Sequence, residues 1–212
     1  MTASESRENA INQTMTYNGG NYDTGGFFTT FTGKLINPIQ PDIKQICIED
    51  IAQALSNCCR FGGHCNQFYS VAQHSVTVST LCDPEDALAG LLHDGSEAYL
   101  SDIVRPVKYT AQMSQYREIE ATLERAIYAR FGLPWPMPPS VKVADDICVV
   151  SEAIALFSPS PSWATDTLWN KYGMKTPHFT LPTTWSPKFA KSMFLRRYLE
   201  LTAGVTISSS EE

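Results

Sequence analysis

Four histidines and several closely spaced acids supply the side chains that chemistry needs. They are His64, His74, His93 and His178, with Asp94 beside His93 and the pair Asp145 and Asp146 further on. Imidazole is the commonest transition-metal ligand and the side chain best suited to proton transfer near neutral pH. His74 and His93 stand 19 residues apart across the loop "DPED"; helices joined this way pack antiparallel and can bring both rings to one pocket. Asp94 follows the apolar Leu91 and Leu92, where an unpaired buried carboxylate is costly and a cation would offset the cost. Asp145 and Asp146 point about 100° apart on a helix, so one can face the interior while the other stays solvated. Alone, each acid reads as a helix carboxylate favoured by the macrodipole. Together with His74 and His93 they read as a metal site, with the choice between Asp145 and Asp146 open. His178, in "TPHFT", reads as structural. His64, in the Gly-flanked "CCRFGGH", suits a phosphate contact or a second proton carrier and equally an ordinary loop histidine; Gly62 and Gly63 let that loop approach a ligand closely.

Helices must position these groups. In "IEDIAQALSNCCRF", Ile48, Ile51, Ala52, Leu55 and Cys59 repeat at helical spacing and predict the first. A second is expected from about Tyr69 to Cys82. A third, from about Pro84 to Leu100, would carry His93, Asp94 and Glu97 on one continuous helix. After "RPVKY", apolar Ile119, Leu123, Ile127 and Phe131 predict an amphipathic helix over Thr110 to Phe131, stopped by Gly132. Further helices are expected over Ser140 to Phe157 and from about Pro187. Ahead of them "FFTTFTGKLINP" breaks at Gly33-Lys34, as a short hairpin or extended arm does. The expected fold is all-α with a small N-terminal β hairpin or arm. Residues 27–205 form one domain, 1–26 a mobile polar segment and 206–212 a polar tail.

A chain of 212 residues with 43% hydrophobic and 11% aromatic side chains fits one domain with a substantial core. Its net charge of -6 argues against broad binding to nucleic acid, which relies on Lys and Arg contacts to phosphates. The six cysteines form no C-x-x-C pair, and no cleavable signal peptide precedes them, so reduced thiols in the cytoplasm are expected. No apolar run approaches the roughly 20 residues of a membrane helix, so no membrane association is expected.

"SVAQHSVTV", "LLHDGSEAYLSDIVRPVKY" and "VADDICVV", in this order, resemble the HD-domain metal-dependent phosphohydrolases, whose H…HD…D signature binds a divalent cation in a helical bundle. The resemblance covers about Ile48 to Phe157. It is nearest to the nucleotide-directed branch of bacterial 5'-deoxynucleotidases and phage deoxyadenosine triphosphate triphosphohydrolases. It implies His74, His93, Asp94 and Asp145 as metal ligands, Asp145 being preferred to Asp146 by its "A-D-x-x-C" setting. Glu97 is implied as general acid/base or water-positioning residue, and Asp102 as an acid near the sugar and the attacked phosphate. Arg60 and Lys108 are implied as phosphate contacts, with His64 beside them. Leu35, Ile36 and Pro106 are implied as walls of a purine pocket. The implied cofactor is a divalent ion: Co, Zn, Mn, Fe, Ni or Mg. The implied activity is dNTP triphosphohydrolysis with a preference for dATP, ahead of 5'-deoxynucleotidase activity and, in another class, noncatalytic nucleotide sensing. The implied setting is a cytoplasmic homo-oligomer, in host cytoplasm if phage-encoded, acting on a small deoxynucleotide.

Overall fold

The computed structural model describes residues 26–172 and 183–203. The segment expected to be mobile, apart from Gly26, lies outside the described residues, as do the polar tail and His178. The described chain is mostly helical, with one two-stranded antiparallel hairpin at its front. Strand β1 (Phe28–Thr29) pairs with β2 (Leu35–Ile36), Phe28 opposite Ile36 and Thr29 opposite Leu35. The hairpin is tied down by Asp50, which accepts from Thr32 N at 2.7 Å and Thr32 Oγ1 at 2.9 Å.

Helix α1 spans Ile48–Asn57 and α2 spans Val71–Leu81. Ser70 caps α2, its hydroxyl accepting from Gln73 N at 3.1 Å, as an N-cap serine should. Val71 through Val76, with Val78 and Ser79, are all buried. A helix buried around its circumference needs neighbours on every side. Those neighbours are α1, α3 (Ala87–Leu92), α7 (Pro139–Leu156) and α9 (Pro187–Thr202). Helix α6 (Ser114–Arg130) adds Leu123 and Ile127 to a core that includes Ile51, Leu55, Leu91, Leu92 and Phe194.

The helix expected from about Pro84 to Leu100 is not continuous. A 3-10 turn at Pro84–Asp86 leads into α3, a turn runs through His93 to Ser96, and α4 covers Glu97–Leu100. In that turn hydrogen bonds span three residues: Gly95 N to Leu92 O at 2.9 Å and Glu97 N to Asp94 O at 3.0 Å. This tighter winding eclipses side chains three residues apart, so Asp94 and Glu97 still share a face. Gly95 makes the close approach of α6 feasible, because a Cβ there would meet Leu92 O at 2.9 Å and Ile127 at 3.3 Å.

"RPVKY" forms one helical turn, α5 (Arg105–Lys108). Helix α8 (Ser162–Tyr172) was not anticipated from the sequence. Ser162, Thr165, Asp166, Thr167 and Asn170 are residues that compete with the helical backbone for hydrogen bonds, which hides the element. Ala164 anchors it, buried beside Val150 and Ala153 of α7. All six cysteines are unpaired. Among the described residues, no helix is long and apolar enough to cross a membrane.

Candidate metal centre and its cleft

Antiparallel packing of α2 on α3 brings His74 and His93 together, with their Nε2 atoms 3.3 Å apart. Each ring is held through its other nitrogen. His74 Nδ1 donates to Glu152 Oε1 at 2.8 Å, and His93 Nδ1 donates to the Gly90 carbonyl at 2.8 Å. These bonds select the tautomer that each ring adopts when neutral, in which both Nε2 atoms offer lone pairs to the same point. Two carboxylates reach that point as well. Asp94 Oδ2 lies 3.5 Å from His74 Nε2 and 3.2 Å from His93 Nε2, and Asp145 Oδ1 lies 3.4 Å and 4.0 Å from them. Four potential acceptors converging in a largely buried place can share a cation between them. The ligand atoms of His74, His93 and Asp145 lie within 4.8 Å of one another, so the donor set fits a divalent ion.

The electrostatics agree. Burial alone would raise the Asp94 pKa, but His93, His74 and Arg60 hold it below the usual carboxylate range. Asp145 is lowered in the same way by the two imidazoles, against burial. Burial and Arg60 press the His74 pKa down, yet Glu152 and Asp145 outweigh them and hold it at about 9. A proton on His74 is thus the occupant that a metal must displace.

Glu152 is a residue that sequence reasoning missed. It is fully buried on α7 and receives three donors: His74 Nδ1, Tyr69 OH at 2.9 Å and Arg60 Nε at 3.1 Å. Its carboxyl stays low despite burial because His74 and Arg60 surround it. The signal was present, since Glu152 follows Asp145 by seven residues and so shares its helical face. Arg60 in turn reaches Asp94 Oδ2 at 3.5 Å, linking the two shells. His74, Cys148 and Glu152 form a second close grouping, but the Arg60 guanidinium already occupies Glu152 and would repel a metal there.

A cleft of about 650 Å³ opens above this floor. Arg60, His64, Asp94, Glu97, Asp102, Pro106, Lys108 and Asp145, all singled out from the sequence, line it. A smaller cavity of about 210 Å³, with His93, Glu120, Glu124 and Lys142 in its wall, shares Asp94, Glu97 and Asp145 with the cleft. Glu97 is buried, and its Oε2 has no hydrogen-bond partner. Burial, then Asp94 and Asp102, push its carboxyl well above the ordinary value, which favours the protonated form. Asp102 is raised by burial and Asp94 against Arg60 and Lys108. Lys108 is held by Glu120 at 2.7 Å. Arg105 lines both cavities and makes no ion pair among the described residues; "RPVKY" contained it, but only Pro106 and Lys108 were singled out there.

Two residues expected in the base pocket are elsewhere. Ile36 is 1% exposed in the main core, and Leu35 is half-exposed on the hairpin. Neither lines the cleft. Successive strand residues face opposite sides, so Ile36 faces inward to the core while Leu35 points out; Pro106 alone of that trio lies in the cleft wall. Asp146 faces away from the imidazoles, paired with Lys142 and, at 2.7 Å, with Lys171. Two non-glycine residues with positive φ flank the site: Phe61 (φ 54°) after Arg60 and Ser101 (φ 66°) before Asp102. Such strain persists only where surrounding packing imposes it, and it concentrates at functional sites.

Fold and cluster together define an all-α protein with a buried histidine and carboxylate site able to hold a divalent cation. No protein-family model matches the chain. It is 42% identical over 126 residues to the uncharacterized protein YfdR of Escherichia coli (strain K12), covering 59% of this chain and 70% of YfdR. It is 36% identical over 142 residues to the uncharacterized protein RCAP_rcc00048 of Rhodobacter capsulatus, covering 60% of this chain and 72% of that protein. The chain belongs to the family that contains these two proteins.

Proposed function

We propose that this protein is a metal-dependent phosphohydrolase of deoxynucleotides. The observation that carries the reading is the convergence of two tautomer-fixed imidazoles and two carboxylates at the floor of a nucleotide-sized cleft. A divalent ion held there by His74, His93, Asp94 and Asp145 would supply an activated water and neutralise charge on a phosphoryl oxygen. Two nitrogen ligands favour Zn, Mn, Fe, Co or Ni over Mg, which prefers oxygen donors.

The chain's own groups divide the remaining work. Glu152 orients His74, and Arg60 orients Asp94. Protonated Glu97 is placed to give its proton to the leaving oxygen. Arg105, with no carboxylate partner among the described residues, is available to bind phosphate bidentately. Asp102 lies where it can accept from a sugar hydroxyl.

Following the resemblance, the first substrate class is the dNTPs, hydrolysed to deoxynucleoside and triphosphate. The preference for dATP rested on Leu35, Ile36 and Pro106; with the first two outside the cleft, that preference has lost most of its support. A specific observation favours a second reading, 5'-deoxynucleotidase activity. Arg60 and Lys108 are already paired with carboxylates, leaving Arg105 as the unpaired guanidinium among the described cleft residues. That balance suits a dianionic monophosphate beside a divalent ion better than a triphosphate. The test is incubation of metal-loaded protein with each dNTP and each dNMP, with products separated by ion exchange. Triphosphate from dNTPs supports the first reading and orthophosphate from dNMPs the second. Tight binding without any product would leave a nucleotide sensor.

A further inference from the structure

Resting on the nucleotide reading, we propose that Trp163 is a base-stacking residue and that the cleft grips the nucleobase without reading its edge. The two sides of the cleft differ in chemistry. The floor is ionic, whereas the wall built by the end of α7 and the start of α8 carries Val149, Phe157 and Trp163. Phe157 is locked edge-on against Phe61, ring centres 5.4 Å apart at 88°. Trp163 faces the cleft with 48% of its surface still exposed. Its position is rigid because the next residue, Ala164, is fully buried against α7. A rigid, half-exposed indole in the same cleft as a phosphate-directed site offers a planar ligand a face to cover. Stacking is open to every base, since each has a π-face.

A base edge is read by paired donors and acceptors, an Asn or Gln amide for adenine, Arg or Lys for guanine and Asp or Glu for cytosine, and the cleft's Arg, Lys, Asp and Glu side chains serve metal, phosphate or sugar in the proposed function. Among the described residues lining the cleft there is no Asn, Gln, Ser or Thr. The base is therefore held by contact area rather than by hydrogen-bond pattern, and all four deoxynucleosides bind with similar affinity.

The test is calorimetric titration of the metal-loaded protein with deoxyadenosine, deoxyguanosine, deoxycytidine and thymidine, none of which is hydrolysed, and with inorganic phosphate. Trp163→Ala should weaken all four nucleosides about 10-fold or more and leave phosphate binding unchanged. Trp163→Phe, which keeps an aromatic face, should retain most of the affinity. Unchanged nucleoside affinity in Trp163→Ala, or an equal loss for phosphate, overturns the proposal. So does a loss confined to one base. If wild-type protein hydrolyses nucleotides while Trp163→Ala binds nucleosides normally, the function stands and this inference fails. If wild-type protein neither binds nor hydrolyses any nucleotide, both fall.

Discussion

The Nδ1 atom of His74 donates to Glu152 Oε1 across 2.8 Å, deep between α2 and α7. That contact leaves Nε2 as the nitrogen that gives up its proton to a metal, on the side of His93 and Asp145, so Glu152 controls a site it does not itself join. It also neutralises Arg60, whose guanidinium is buried with it.

Replacing Glu152 with Gln should therefore weaken metal binding about 10–100-fold, the usual effect of removing a carboxylate behind a histidine ligand. Stability should fall too, by as much as about 3–5 kcal/mol, because buried Arg60 loses its shorter ion pair and keeps only the 3.5 Å contact with Asp94. Competition with a chelator and denaturant unfolding measure the two effects. Wild-type affinity in Glu152→Gln would remove its orienting role.

Asp145 and Asp146 are adjacent and share Lys142, but Asp145 alone of the two reaches the imidazoles. Asp145→Ala should abolish stoichiometric metal, read by elemental analysis, while Asp146→Ala should retain it, its carboxylate being engaged by Lys142 and Lys171. The helical circular dichroism of both variants should match wild type. The reverse pattern of metal retention would reassign the ligand.

Burial, with Asp94 and Asp102 beside it, raises the Glu97 carboxyl well above its ordinary value and favours its protonated form. Glu97→Gln should keep the metal and lower kcat about 10²–10⁴-fold, the range of general acid–base catalysis. Loss of metal along with activity would make Glu97 a ligand instead.

Metal affinity should rise with pH. In the metal-free protein His74 carries a proton with a pKa of about 9, above its ordinary 6.5. A histidine raised on folding contributes stability that is fully present below the unfolded value and lost as pH rises through the folded one. Thermal scans of metal-free protein should show Tm falling between about pH 6.5 and 9. Metal-loaded protein, in which the ion replaces the proton, should lose less. Parallel curves for the two forms would count against a shared site.

Glu124, on α6 at the smaller cavity, has its carboxyl raised to about 7 by burial and by Glu120 and Asp94. Its contribution is complete below its ordinary 4.5 and is lost as pH passes 7. Glu124→Gln should therefore gain Tm relative to wild type at pH 8 and show little or no gain at pH 5. An equal difference at both pH values would mean that Glu124 does not titrate in that window.

The sequence by itself determined the helical class, the main helices and the histidines and acids that meet at the cleft floor, because those follow from local patterns. Apolar spacing marked α1, α2, α6 and α7, and the histidines and acids stood out by type. Tertiary structure decided what depends on neighbours. The break at His93 to Ser96 arises where α6 packs against Gly95, a contact that no local period encodes. Strand alternation buried Ile36 in the core and left Leu35 outside the cleft. Lys171, which pairs with Asp146 and not Asp145, holds it away from the imidazoles, and it comes from α8, an element that the sequence concealed. Glu152 became legible only when α7 lay against α2, because a glutamate at the far end of a helix orients a histidine only across an interface between two elements.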